Sequence, residues 1–337
     1  MAIDPVQERL YNIRAAIPDH MSVFANWRMW SDAYRQERPQ AKLDLAYGKK
    51  SRETLDFFPP VRQNPSPSPL VVLIHGGYWQ AMDKRDNSFA ARALCDAGCS
   101  VAVLNYTLCP AITLEGIVDE IQRASLWLWH RAEDLLFARD HMYVAGHSAG
   151  GHLAAMMVCT PWKAFNAQAP EQVFKGALSI SGIFDLSPLT KTTINDNVGM
   201  TPQSARELSP VHQKPCGGLP FIAAVGANES AAFHEQADHL KQAWAHTDVE
   251  VRYMRIPNSH HFQAFEALAN MNSDIFKAFY ELAFRRSGPP KTRFCHRILC
   301  NGNQCLSHSS KKSDFKIITI VFTHNFSPVV CVWSSPF

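Results

Sequence analysis

Met142-Tyr143-Val144-Ala145-Gly146-His147-Ser148-Ala149-Gly150-Gly151 joins a short apolar run to a Gly-x-Ser-x-Gly turn. The apolar run reads as a buried strand, and Ala149–Cys159 reads as the helix that follows it. A chain that passes from strand to helix across one serine needs small residues on either side, because larger ones would collide with the neighbouring strand and helix. Ser148 then stands exposed on a tight turn, and the helix N-terminus favours negative charge developing beside it. Ser148 is therefore the candidate nucleophile. The plainer alternative is a serine that merely caps the helix.

Outward from this turn the same grammar repeats. Leu70–Ile74, Ser100–Leu104, Gly176–Ile180, Phe221–Val225 and Val249–Ile256 are apolar runs of strand length. Helical stretches are expected over 86–97, 112–137, 149–159, 230–245 and 263–284. Alternating strands and helices imply an α/β fold with a mainly parallel central sheet and helices on both faces. Before this part, 42–47 and 54–58 read as two short strands, and 5–38 as a helical run closed by Pro39. Residues 1–287 are thus expected to form one domain, with 1–40 as its helical N-terminal extension. From Gly288 the periodicity collapses, and the tail 288–337 is expected to be disordered or to lie outside the fold.

The chain has 337 residues, 46% of them apolar and 19% charged, which excludes an intrinsically disordered protein. Its formal net charge of +3 is unevenly spread. The tail carries six basic residues and one acidic, leaving 27 basic and 29 acidic in the body. A slightly acidic body argues against nucleic acid as a partner. No window approaches a membrane-spanning length of apolar residues. The first twenty residues lack a basic segment followed by an apolar one, so a cytoplasmic protein is expected. Nine cysteines without paired C-x-x-C spacing read as reduced, mostly buried thiols rather than disulfides or a zinc site. No metal or organic cofactor is expected. The partner is a small-molecule substrate, and the oligomeric state stays open, a homodimer included.

A nucleophilic serine needs an oxyanion site, a base and an acid. His75-Gly76-Gly77-Tyr78-Trp79 follows the strand Leu70–Ile74. Two glycines there leave backbone N–H groups free, and with the Ala149 N–H they would hold the oxygen of a tetrahedral intermediate. His75 reads as a structural hydrogen-bonder, while Tyr78, Trp79 and His147 are candidates to line the substrate. The base should follow the last strand, where Ser259-His260-His261-Phe262 offers His261, with His260 as competitor. The acid should follow Phe221–Val225, where Glu229 is the carboxylate near the turn Gly226-Ala227-Asn228-Glu229. Asp185, after the preceding strand, is the runner-up, though a turn-forming role suits it better.

These stretches carry a family resemblance. His75–Trp79, Gly146–Gly151, Gly226–Glu229 and His261-Phe262 together resemble the α/β-hydrolase fold, and more narrowly the kynurenine formamidase branch and its bacterial esterase relatives. Tyr11–Trp30 and Leu104–Tyr106 are similar to those relatives too, so the resemblance covers about residues 5–285. It implies a serine hydrolase with Ser148, Glu229 and His261 as catalytic residues and Gly76, Gly77 and Ala149 as oxyanion contacts. Glu229 departs from the commoner Asp. The implied reaction is acyl transfer, with an aryl formamide such as N-formylkynurenine as the expected substrate and small hydrophobic esters or aryl amides as the alternative.

Overall fold

Eight strands form one sheet in the order β1-β2-β4-β3-β5-β6-β7-β8. They are β1 (Lys42–Ala46), β2 (Thr54–Phe58), β3 (Ser68–Ile74), β4 (Ser100–Leu104), β5 (Phe137–His147), β6 (Ala177–Ile180), β7 (Pro220–Gly226) and β8 (Glu250–Ile256). The structure, a computed structural model, describes residues 2–61 and 66–284. The tail from Gly288, with Cys295, Cys300 and Cys305, lies outside them. β1 and β2 pair antiparallel, and β2 joins β4 antiparallel. The remaining six strands are parallel, as their near-continuous apolar runs require. Leu70–Ile74 at the centre is fully buried. β8, at the edge, is exposed or half-buried at every position but Ile256.

The register brings the carboxyl ends of these strands level. Ile74 lies opposite Gly146, Gly146 opposite Ser179, Ile180 opposite Ala224, and Gly226 opposite Ile256. Every loop that leaves a strand end here starts from one edge, where open α/β sheets bind ligands.

Around the sheet lie α1 (Pro5–Tyr11), α2 (Ile13–Ala16), α3 (His20–Gln36), α4 (Ala91–Asp96), α5 (Leu114–His130), α6 (Ala149–Cys159), α7 (Trp162–Phe165), α8 (Asn195–Val198), α9 (Pro202–Glu207), α10 (Ala231–Ala243), α11 (His261–Glu266) and α12 (Asp274–Phe284). The N-terminal run expected as one helix is three. Asp4 accepts from the Val6 and Gln7 amides to start α1, and Asn12 ends α1 while its side chain accepts from Ala15 N–H to start α2. Pro18 then separates α2 from α3. The helix expected over 112–137 stops at His130. Leu136 turns to φ 60°, and Phe137 instead opens β5 with its ring 6.2 Å from Phe57. The closing helix is broken as well. Ser273 Oγ donates to Ala267 O at 2.6 Å and accepts from Phe276 N–H at 3.1 Å, which ends one turn and caps the next. Among the described residues no helix is long and apolar enough to cross a membrane.

Candidate active site

Ser148 sits between β5 and α6 with φ 56° and ψ −119°, a conformation costly for a residue with a side chain. It persists because its surroundings over-determine it. The Ser148 amide donates to Ile180 O at 2.7 Å, and its carbonyl accepts from His152 N–H at 3.1 Å. A Cβ on Gly146 would run into Gly150 O, and one on Gly150 would run into Ile74 O. The chain can therefore make this turn only with glycine at both places.

Glu229 and His261 meet at the same sheet edge. His261 Nδ1 donates to Glu229 Oε2 at 2.6 Å, which leaves Nε2 as the nitrogen free to take a proton. The other carboxylate oxygen, Oε1, accepts from Gly226 N–H at 2.7 Å and from the Ser181 hydroxyl at 2.5 Å. Both side chains are almost wholly buried, with exposures of 3% for His261 and 0% for Glu229. A buried carboxylate with three donors is held in one orientation.

His260, the competing candidate, is engaged elsewhere. Its ring accepts from the Phe262 and Gln263 amides and caps α11. Asp185 accepts from Ser187 N–H at 2.9 Å and closes a local turn, as its alternative reading had it. Ser181 was missed by sequence reasoning. It follows β6 with φ 53°, and one signal for it was available: a serine–glycine pair at a strand end level with the nucleophile turn.

The segment after β3 approaches Ser148 closely. A Cβ on Gly76 would come within 2.8 Å of His147 O and 3.2 Å of Ser148 Cβ. Among the described residues, the Gly76, Gly77 and Ala149 amides donate to no other backbone group. His75 is structural, as expected. Its ring stacks on Tyr106 at 4.2 Å and bonds Gly76 O and Asn105 Oδ1, which Arg52 also holds. Burial lowers its basicity.

The expected substrate wall is only partly realised. Trp79 is fully buried, edge-on to His152 at 5.1 Å, and so belongs to the core. Tyr78 is half-buried, and its hydroxyl donates to Tyr11 O at 2.5 Å. His147 is also enclosed by protein: its ring lies 5.0 Å from Phe265, 4.7 Å from His261 and 5.9 Å from Trp27. A side chain at this position follows the strand's alternation into the layer beneath α11, so it is not free to face solvent.

Among the described residues no hydrogen bond joins Ser148 Oγ to His261, whose ring bonds Glu229 instead. The described residues hold no group of three or more His, Cys, Asp or Glu side chains placed for a metal ion. Cys95, Cys99, Cys109 and Cys159 are buried free thiols, and Cys216 is half-buried and free.

The chain is similar in sequence and fold to known proteins. Residues 55–242 match the BD-FAE family. The chain is 30% identical over 248 residues to the kynurenine formamidase of Danio rerio, covering 72% of this chain and 82% of that one. It is 31% identical over 237 residues to the kynurenine formamidase of Salmo salar, covering 68% and 78% respectively. A crystal structure of a provisionally assigned thioesterase from Silicibacter sp. TM1040 superposes with TM-score 0.69 at 31% identity, covering 80% of this chain and 97% of that one. Shared sequence and shared fold give one conclusion: the chain belongs to the BD-FAE family and is a hydrolase of the α/β-hydrolase fold, on the branch that holds kynurenine formamidases and bacterial esterases.

Proposed function

We propose that the protein hydrolyses an aryl formamide, with N-formylkynurenine as the model substrate, through an acyl-enzyme on Ser148. The observation that carries this reading is the 30% identity to a kynurenine formamidase over 82% of that enzyme's length. The bond from His261 Nδ1 to Glu229, with His260 occupied as a cap, supports the assignment of roles.

In this scheme His261 Nε2 takes the Ser148 proton as Oγ attacks the formyl carbon. The carbonyl oxygen becomes an oxyanion held by the Gly76, Gly77 and Ala149 amides; each such donor is worth about 3 kcal/mol in the transition state. The imidazolium, stabilised by Glu229, gives its proton to the departing aryl nitrogen as the C–N bond breaks. Water then loses a proton to the same Nε2 and attacks the formyl ester, releasing formate and restoring the Ser148 hydroxyl. Besides substrate and water, the steps call on side chains and backbone amides. Free thiols at five positions fit a reducing compartment such as the cytoplasm.

The thioesterase assignment of the Silicibacter structure favours a second reading, hydrolysis of small esters or thioesters at the same site. Steady-state assays with N-formylkynurenine, p-nitrophenyl acetate and a short acyl thioester separate the two. The formamide is expected to give the highest kcat/KM; efficient thioester or ester cleavage without formamide cleavage would replace the first reading by the second. Ser148→Ala is expected to lose labelling by a fluorophosphonate probe and to lower kcat by about 10⁴-fold or more while keeping the fold. Retained turnover in that variant would refute the site itself.

A further inference from the structure

We infer that His147, the residue before the proposed nucleophile, is a positioning residue for His261. The inference rests on the roles proposed for Ser148, Glu229 and His261. These groups leave different strands: the nucleophile turn leaves β5, and His261 follows β8, with β6 and β7 between them. No direct bond from Ser148 Oγ sets the approach of the two. His147 supplies one link, because its Nε2 lies 3.0 Å from His261 O.

A carbonyl oxygen only accepts, so Nε2 carries the proton and Nδ1 is left with a lone pair. Nδ1 is buried and has no partner, so a second proton would find no acceptor there. The ring is thus a neutral, single-tautomer donor, clamped between Phe265 and His261 with Trp27 against its edge. Nδ1 also lies 3.4 Å from where a Cβ on Gly76 would stand, so one ring touches both the oxyanion segment and the helix that carries the base. Burial, together with the nearby His261, disfavours a charge on His147. A neutral neighbour does not oppose the imidazolium that His261 must become.

Two variants separate the hydrogen bond from the space the ring fills. His147→Phe keeps an aromatic ring and removes the donor; His147→Gln keeps an amide donor near Nε2 and removes the ring. His147→Phe is expected to lower kcat by roughly 10–100-fold, the usual loss when an orienting partner goes, with KM within about threefold. His147→Gln is expected to stay within about fivefold of the parent. The low-field proton resonance of the His261 Nδ1–H···Glu229 bond is expected to move in the Phe variant and hold in the Gln variant. A Phe variant with parental kcat and an unmoved resonance overturns the inference. So does equal loss of kcat in both variants, which would make the ring a filler. Neither outcome touches the proposed mechanism, which stands or falls with Ser148→Ala.

Discussion

Glu229 illustrates how one side chain can be specified from several directions. Its three donors are a histidine, a hydroxyl and a backbone amide, each from a different strand-end loop or turn. Glu229→Gln would put an amide NH2 toward one of these donors, and the His261 tautomer would no longer be set. A fall in kcat of about 10⁴-fold with little change in melting temperature is expected, by analogy with acid-to-amide changes in such sites. Ser181→Ala removes one donor and is expected to cost far less, about tenfold in kcat. His260→Ala should behave oppositely. It deletes the cap of α11 and should lower stability by about 1 kcal/mol while turnover stays within severalfold of the parent. Loss of activity in that variant comparable to His261→Ala would reverse the assignment of the base.

At the scale of elements, the N-terminal helices hold the site together from outside. Trp27 on α3 packs on His147, Phe262 and Phe265, and its Nε1 donates to Glu266 Oε1 on α11 at 2.8 Å. Ser230 Oγ, at the head of α10, donates to Leu10 O at 2.8 Å, and Gln236 Nε2 donates to the Tyr11 hydroxyl at 2.8 Å. The chain start therefore braces both the acid turn and the histidine loop. Trp27→Ala is expected to cost about 3–5 kcal/mol, because it opens a cavity in a fully buried position and leaves Glu266 without its indole donor. Denaturant titration measures the loss, and kcat should fall with it. The same region shows the limit of pattern reading. The apolar spacing of 5–38 is helical throughout, yet Asn12 and Pro18 divide it, and caps act on three or four residues that a long window averages away.

For the whole molecule, the buried histidines set an acid limit. His75, His147 and His152 are enclosed, and burial lowers the pKa of each, that of His152 to about 4. Unfolded, each titrates near 6.5, so below that pH the unfolded chain binds more protons than the folded one. Stability is then fully present above pH 6.5 and is lost as pH falls toward the folded values. For His152 the whole difference amounts to about 3 kcal/mol. Melting temperature is expected to hold from pH 8 to about 7 and to drop steadily between about 6.5 and 4. His152→Gln should flatten part of that slope. An acid limb unchanged in the variant would show that His152 does not contribute to it.

The sequence by itself determined the order of chemistry along the chain: an apolar run followed by a Gly-Gly segment, a second apolar run followed by a Gly-x-Ser-x-Gly turn, then a carboxylate and a histidine after the later strands. These signals are legible because each is local; a strand that must be buried on both faces is apolar, and a tight turn excludes large residues. What only the tertiary structure decided is which neighbours meet. His261 rather than His260 faces Glu229, Ser181 completes the carboxylate's shell, and Trp79 and His147 turn into protein instead of open space. The physical reason is that these outcomes depend on strand register and on rings packed across distant segments, and neither leaves a period or a spacing in the chain.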